Sequence, residues 1–346
     1  MQERLQERDV YFDNLKFLLI LLVVIGHFME PFNGERTTKA VYQFIYSFHM
    51  PLFIFAAGYF SKSIRYPKYY VNLVSSLLVP YVIFETLYTL FDFYTQGHDK
   101  LNFTYFYPYW ILWFLFSMML WKMLLPYLLI LKYPLAICIG MSLMMGYALD
   151  VDYYASISRT LYFFPFFIMG FYFKREWLDR LKTRRNVISS VVIVTIGFGL
   201  LYRLSPVLST SWFYGSLPYL EFGIDAWYAA GYRLLTYLFT VVMGLAVLTI
   251  VPDSKLPFTH LGEHTMYVFL LHGFLVKGML HYGLLELFDS AFGRVMLVVV
   301  GIAVTCMLSS AWVRRCFGWI VEPNVQFLFK KRIRRKAKEA QKKEEF

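Results

Sequence analysis

About ten runs of roughly twenty mostly apolar residues, separated by short polar or basic pieces, make up most of this chain. A run of that length spans a bilayer core as a helix, in which every backbone N–H and C=O finds its partner within the segment. The composition agrees: of 346 residues, 58% are hydrophobic and only 16% charged, which excludes an ordinary soluble domain. The expected fold class is all-α, a polytopic integral membrane protein with about ten transmembrane helices.

The expected spans run from about Asn14 to Pro31, Ala40 to Phe60, Val71 to Tyr94 and Tyr109 to Leu129, then from after Lys132 to about Leu149, and from Arg159 to Phe173. Four more follow, at about Val187 to Leu201, Gly231 to Val251, Thr265 to Tyr282 and Arg294 to Trp312. With the N-terminus inside, the loops at 61–70, 122–133, 174–186 and 252–263 and the C-terminal tail face the cytoplasm, and these hold nearly all the loop Lys and Arg. The outer loops keep only a handful, such as Arg36, Lys39 and Lys100. Positive residues stay inside, so both termini are expected to be cytoplasmic and the protein to be multi-pass in the cell membrane.

Much of the net charge of +11 gathers in the tail, at Lys330, Lys331, Arg332, Arg334, Arg335, Lys336, Lys338, Lys342 and Lys343. Such a segment suits the surface of anionic lipid, and no nucleic-acid partner is expected. The first apolar run continues through Phe28 to Gly34 with no small-residue cleavage site, which reads as a retained span. Cys138, Cys306 and Cys316 are scattered and suggest neither disulfides nor a metal site.

Ionisable residues inside spans are costly and point to function. Lys16 and His27 lie eleven positions apart in the first span, close to three helical turns and about 16 Å of rise, so both project from one face. They are too far apart to touch, but they suit the two ends of one long ligand or the lining of one shaft. His49 stands midway along the second span beside Pro51, whose missing N–H frees a carbonyl, at a depth similar to His27. Glu85 adds a carboxylate in the third span, either beside a histidine or paired with an arginine such as Arg233, Arg159 or Arg203. His264 and His272 open and occupy the ninth span, and His272 is the better candidate for a buried cavity. No two histidines have ligand spacing, so no metal is expected.

The chain resembles the membrane-bound acyltransferases of the acyltransferase 3 class, in particular the fucose 4-O-acetylase-like branch. The resemblance rests on Tyr11-Phe12-Asp13-Asn14-Leu15-Lys16 with ten residues to His27, on Phe48-His49-Met50-Pro51-Leu52-Phe53 before Ala57-Gly58-Tyr59, and on Trp113-Phe114-Leu115. It extends to Phe164-Pro165-Phe166-Phe167-Ile168-Met169-Gly170 and Tyr267-Val268-Phe269-Leu270-Leu271-His272. Two positions depart from the pattern: Lys16 stands where arginine is common, and Ala57 where serine is frequent. The resemblance implies a transmembrane domain over residues 1–315, followed by a cytoplasmic interfacial and polybasic tail at 316–346.

It also implies transfer of an acyl group, usually acetyl from acetyl-CoA at the cytoplasmic face, to a hydroxyl of a carbohydrate or envelope glycan. Lys16 and His27 carry over as the essential pair, with Lys16 guiding the anionic donor, His27 as base or acyl relay, and His49 and Glu85 lining the reaction cavity. The alternative is a proton-coupled transporter using the same buried histidines and Glu85. The absence of a visible inverted repeat counts against it.

Overall fold

The computed structural model describes residues 9–64, 66–97, 100–149 and 154–333. It is 76% helical, with no strand among the described residues. The helices are α1 Val10–Met29, α2 Arg36–Tyr46, α3 His49–Tyr59, α4 Lys68–Leu73, α5 Val79–Gln96, α6 Trp113–Leu128 and α7 Pro134–Met145. They continue with α8 Ile157–Tyr172, α9 Glu176–Leu181, α10 Arg184–Leu204, α11 Ala229–Ile250, α12 Thr265–His281, α13 Ala291–Leu308 and α14 Ala311–Val321.

Among the described residues, seven helical stretches are long and apolar enough to cross a membrane: Val10–Phe32, Arg36–Tyr59, Lys68–Gln96, Trp110–Leu128, Arg184–Leu204, Ala229–Ile250 and Ala291–Leu308. The fifth, sixth and ninth expected spans correspond to α7, α8 and α12, which are 12, 16 and 17 residues long. The tenth ends at Leu308 and not at Trp312, because Ser310 caps a separate helix, α14, to which Trp312 belongs. Most of the polybasic tail, from residue 334 on, lies outside the described residues.

Polar contacts sort the loops into two ends. At one, Arg175 reaches Asp9 at 3.2 Å and Asp253 at 3.6 Å, Lys182 pairs with Asp253 at 3.0 Å, and Lys62 donates to the Phe173 carbonyl. Burial and the loss of water there push the Lys62 ammonium below its ordinary value. At the other end, Arg36 donates to the Tyr202 carbonyl, Gln43 to that of Leu208, and the Ala155 amide to Phe106. The first end gathers the basic loops at 61–70, 174–186 and 252–263, and the second the loops that the charge pattern puts outside.

Two local features fix α1 and α3. Asn14 is 2% exposed, and its amide donates to the Pro252 and Ser254 carbonyls while its oxygen accepts from Thr259, which seats the start of α1 on the 252–263 loop. Helix α3 crosses α8 backbone to backbone. A Cβ on Gly58 would lie 2.0 Å from the Phe167 oxygen, and one on Gly170 only 1.9 Å from that of Phe55. Small residues permit such an approach in a membrane, where dispersion and not hydrophobicity drives helix association.

The second span breaks, but not at Pro51. Helix α2 ends at Tyr46 and α3 begins at His49, with Phe48 at φ −140°, ψ −24° between them. Pro51 sits in the first turn of α3, where an N–H has no partner inside the helix, so the ring is accommodated there. The Ser47 hydroxyl closes the end of α2 by donating to the Phe44 carbonyl at 2.7 Å.

Candidate active site

The break between α2 and α3 exposes carbonyls at the end of α2, and His49 uses one of them. Its Nδ1 donates to the Ile45 carbonyl at 2.8 Å, and the residue is 1% exposed. A carbonyl can only accept, so this bond puts the hydrogen on Nδ1 and leaves Nε2 with a lone pair. His272 on α12 is built the same way, with Nδ1 donating to Val268 at 2.8 Å and a buried Nε2 that has no hydrogen-bond partner among the described residues.

His27 comes from the last turn of α1. Its ring lies 5.4 Å from the His272 ring at 29° and 4.5 Å from the Trp110 indole at 63°. Nδ1 faces Glu30 Oε2 at 3.3 Å, one turn further along the chain. With Nδ1–H directed at the carboxylate, Nε2 remains the acceptor, and Glu30 stands where it would stabilise an imidazolium. The His27 side chain is 14% exposed and that of Glu30 42%, so the pair joins a buried interior to an open edge.

A cavity of ≈ 110 Å³ is lined by His27, Glu30, Tyr46, His49, Trp110 and Arg159, among others. The guanidinium of Arg159 lies over the Trp113 ring at 5.3 Å, and the Lys277 ammonium lies over Trp110 at 5.0 Å. Two cations therefore border the histidine and carboxylate. Among the described residues, no three His, Cys, Asp or Glu side chains gather as metal ligands would.

Lys16 is not in this cavity. Its ammonium pairs with Asp13 at 2.8 Å near the start of α1. Between it and His27 lies a second, apolar cavity of ≈ 80 Å³, lined by Val23, Met50, Phe53, Phe114, Thr265, Met266 and Phe269. Met50 borders both cavities, and Lys16, Val23 and His27 succeed one another along one face of α1.

Glu85 does not join the histidines. It is 2% exposed, and its two oxygens accept from the Tyr109 amide at 2.9 and 3.1 Å. It borders a different, more polar cavity of ≈ 270 Å³ with Thr89, Asp92, Lys100, Asn102 and Tyr109. Arg233, one of the arginines considered for it, bonds instead to the Ser142 and Leu217 carbonyls. Glu30 escaped the sequence reading although its offset of three from His27 marks one helix face. Trp110 and Tyr46 carried no local signal, since only packing of distant segments brings them to His27.

Seven membrane-length helices among the described residues, with an imidazole–carboxylate pair in the interior, define a multi-pass membrane protein. The chain belongs to the acyltransferase 3 family, whose model, described as an acyltransferase domain, matches residues 9–313. It is similar to the nodulation protein NolL of Sinorhizobium fredii (strain NBRC 101917 / NGR234), 24% identical over 90% of each chain. It is also similar to the nodulation protein NolL of Mesorhizobium japonicum (strain LMG 29417 / CECT 9101 / MAFF 303099), 35% identical over 23% of this chain and 24% of the relative. No solved structure matches the chain. The family makes the protein a membrane acyltransferase.

Proposed function

We propose that the protein moves an acyl group, acetyl in the first instance, from acyl-CoA to a hydroxyl of a carbohydrate or envelope glycan at the cell membrane, as in the fucose 4-O-acetylase-like branch. His27 Nε2 takes the proton of the acceptor hydroxyl as its oxygen attacks the thioester carbonyl. The C–S bond then breaks, the acyl–oxygen bond is complete, and the departing thiolate takes the proton back from the imidazolium. Glu30 stabilises that imidazolium through Nδ1–H.

The observation that carries this reading is the His27–Glu30 pair in a cavity whose wall continues, by way of Met50 and Val23, toward Lys16. Apolar walls suit the uncharged arm of an acyl-CoA, and the basic end of the molecule, where Lys16 begins the face, suits its phosphates. His49 lines the same cavity and offers a second lone pair to the acceptor. The basic tail gives the cytoplasmic end a footing on anionic lipid.

The test is to incubate membranes holding the protein with acetyl-CoA labelled in the acetyl group and with envelope glycan. Label is expected on carbohydrate as a base-labile ester. Hydrolysis or binding of the donor without ester formation, across a panel of glycans, would overturn the reading.

A further inference from the structure

Trp110, whose indole packs against the His27 ring at 4.5 Å, has an unusual backbone. Trp110 has φ +34°, in the left-handed region that a tryptophan rarely enters. Such a conformation persists only where surrounding structure over-determines it, and it gathers at functional sites. Here the groups that hold the preceding residue include three from α5.

Glu85, Tyr88 and Asp92 follow at offsets of three and seven, one face of a helix, and they grip the preceding residue, Tyr109, in three places. Glu85 takes its amide N–H with both oxygens, at 2.9 and 3.1 Å. The Tyr88 ring stacks on the Tyr109 ring at 5.3 Å and 15°. Asp92 accepts the Tyr109 hydroxyl at 2.8 Å. The direction in which the chain leaves Tyr109 is thereby set, and it carries the Trp110 indole to 4.5 Å from the His27 ring.

We propose that Glu85 is a positioning residue: it holds Tyr109 so that Trp110 stays against His27, and it exchanges no proton with substrate. The proposal rests on the acyltransferase reading of His27. It separates two roles for a buried carboxylate, because accepting an N–H needs only an oxygen, whereas proton transfer needs an acid.

Glu85→Gln keeps an acceptor oxygen for the Tyr109 amide and Glu85→Ala removes it. Glu85→Ala is expected to lower kcat by roughly tenfold or more, with donor KM changed less than about twofold, since misorientation acts on the chemical step. Glu85→Gln is expected to keep at least about a third of wild-type kcat with an unchanged pH profile. A Glu85→Gln variant as slow as Glu85→Ala, or one that loses a limb of the profile, would overturn the proposal. So would a Glu85→Ala variant at wild-type rate.

A second readout needs no turnover. In protein carrying 5-fluorotryptophan, the Trp110 fluorine resonance, identified by its loss in Trp110→Phe, should move in Glu85→Ala and hold in Glu85→Gln. A resonance unmoved in Glu85→Ala overturns the positioning role even if no acyl acceptor is found, and a shifted one supports it independently of the reaction. Should Glu85→Ala not assemble, Tyr109→Phe loosens the same grip at its hydroxyl end. The resonance and kcat must then change together, and a fall in kcat with an unmoved resonance overturns the proposal.

Discussion

The chemistry assigned to His27 depends on a lone pair at Nε2, and that lone pair depends on what Nδ1 does. His27→Gln cannot accept a proton at neutral pH and should lower acyl transfer by roughly 100-fold or more, while membrane insertion is kept. Glu30→Gln keeps a hydrogen-bond acceptor for Nδ1–H but loses the charge that stabilises the imidazolium. It should lower turnover by about tenfold or more with little change in donor affinity. His264→Gln should do much less, because His264 bonds the Ser309 carbonyl at 3.0 Å and does not line the histidine cavity. Transfer measured in membranes, normalised for protein amount, checks all three. Lys16→Arg should keep more donor affinity than Lys16→Ala, since charge at the mouth is retained even though the two cations differ in geometry. Equal and undiminished affinity in both variants would assign Lys16 to anchoring, through its pairing with Asp13 and its contact with the Phe60 ring.

At the scale of elements, the α3–α8 crossing decides whether the cavity exists, because α3 carries His49 and α8 carries Arg159. Gly170→Ala sets a Cβ 1.9 Å from the Phe55 oxygen, which a side-chain movement cannot relieve, so the helices must part. The variant should melt several degrees lower in detergent. Gly140→Ala in α7 meets nothing within 4 Å and should melt at the wild-type temperature or slightly above, since alanine is the better helix former. The start of α2 is held by Glu35, which accepts from the Thr38 amide at 2.8 Å and its hydroxyl at 2.9 Å, and these bonds hold its carboxyl down to about 2. A lowered carboxyl contributes stability above its ordinary range and loses it as pH falls from there through about 2. Amides 36–40 should therefore exchange faster in Glu35→Ala at neutral pH, and in the wild type only under strong acid.

At the scale of the whole molecule, the charge pattern and the contacts between loops give the same sorting by independent routes. A cysteine at the exposed Lys100 is expected to react with an impermeant thiol reagent from outside, and one at the exposed Arg185 only from inside. Labelling of both from one side would overturn the arrangement. Position 185 is the better probe of its loop, because Lys182 is tied to Asp253 and its side chain is only 13% exposed. The tail near Lys338 should label from the same side as Arg185.

Hydropathy by itself determined that the chain is helical and membrane-bound, because an apolar run of bilayer length has no other way to satisfy its backbone. Helical period likewise placed Lys16 and His27 on one face, and it would have placed Glu30 beside His27. Only the tertiary structure decided which residues meet there. His272 comes to His27 from the far end of the chain, Trp110 reaches it through a left-handed backbone held from α5, and Glu85, a carboxylate expected among the histidines, is spent on the Tyr109 amide. Contacts of that kind depend on how helices cross and how a loop leaves its anchor, and a periodicity confined to one helix carries no record of either.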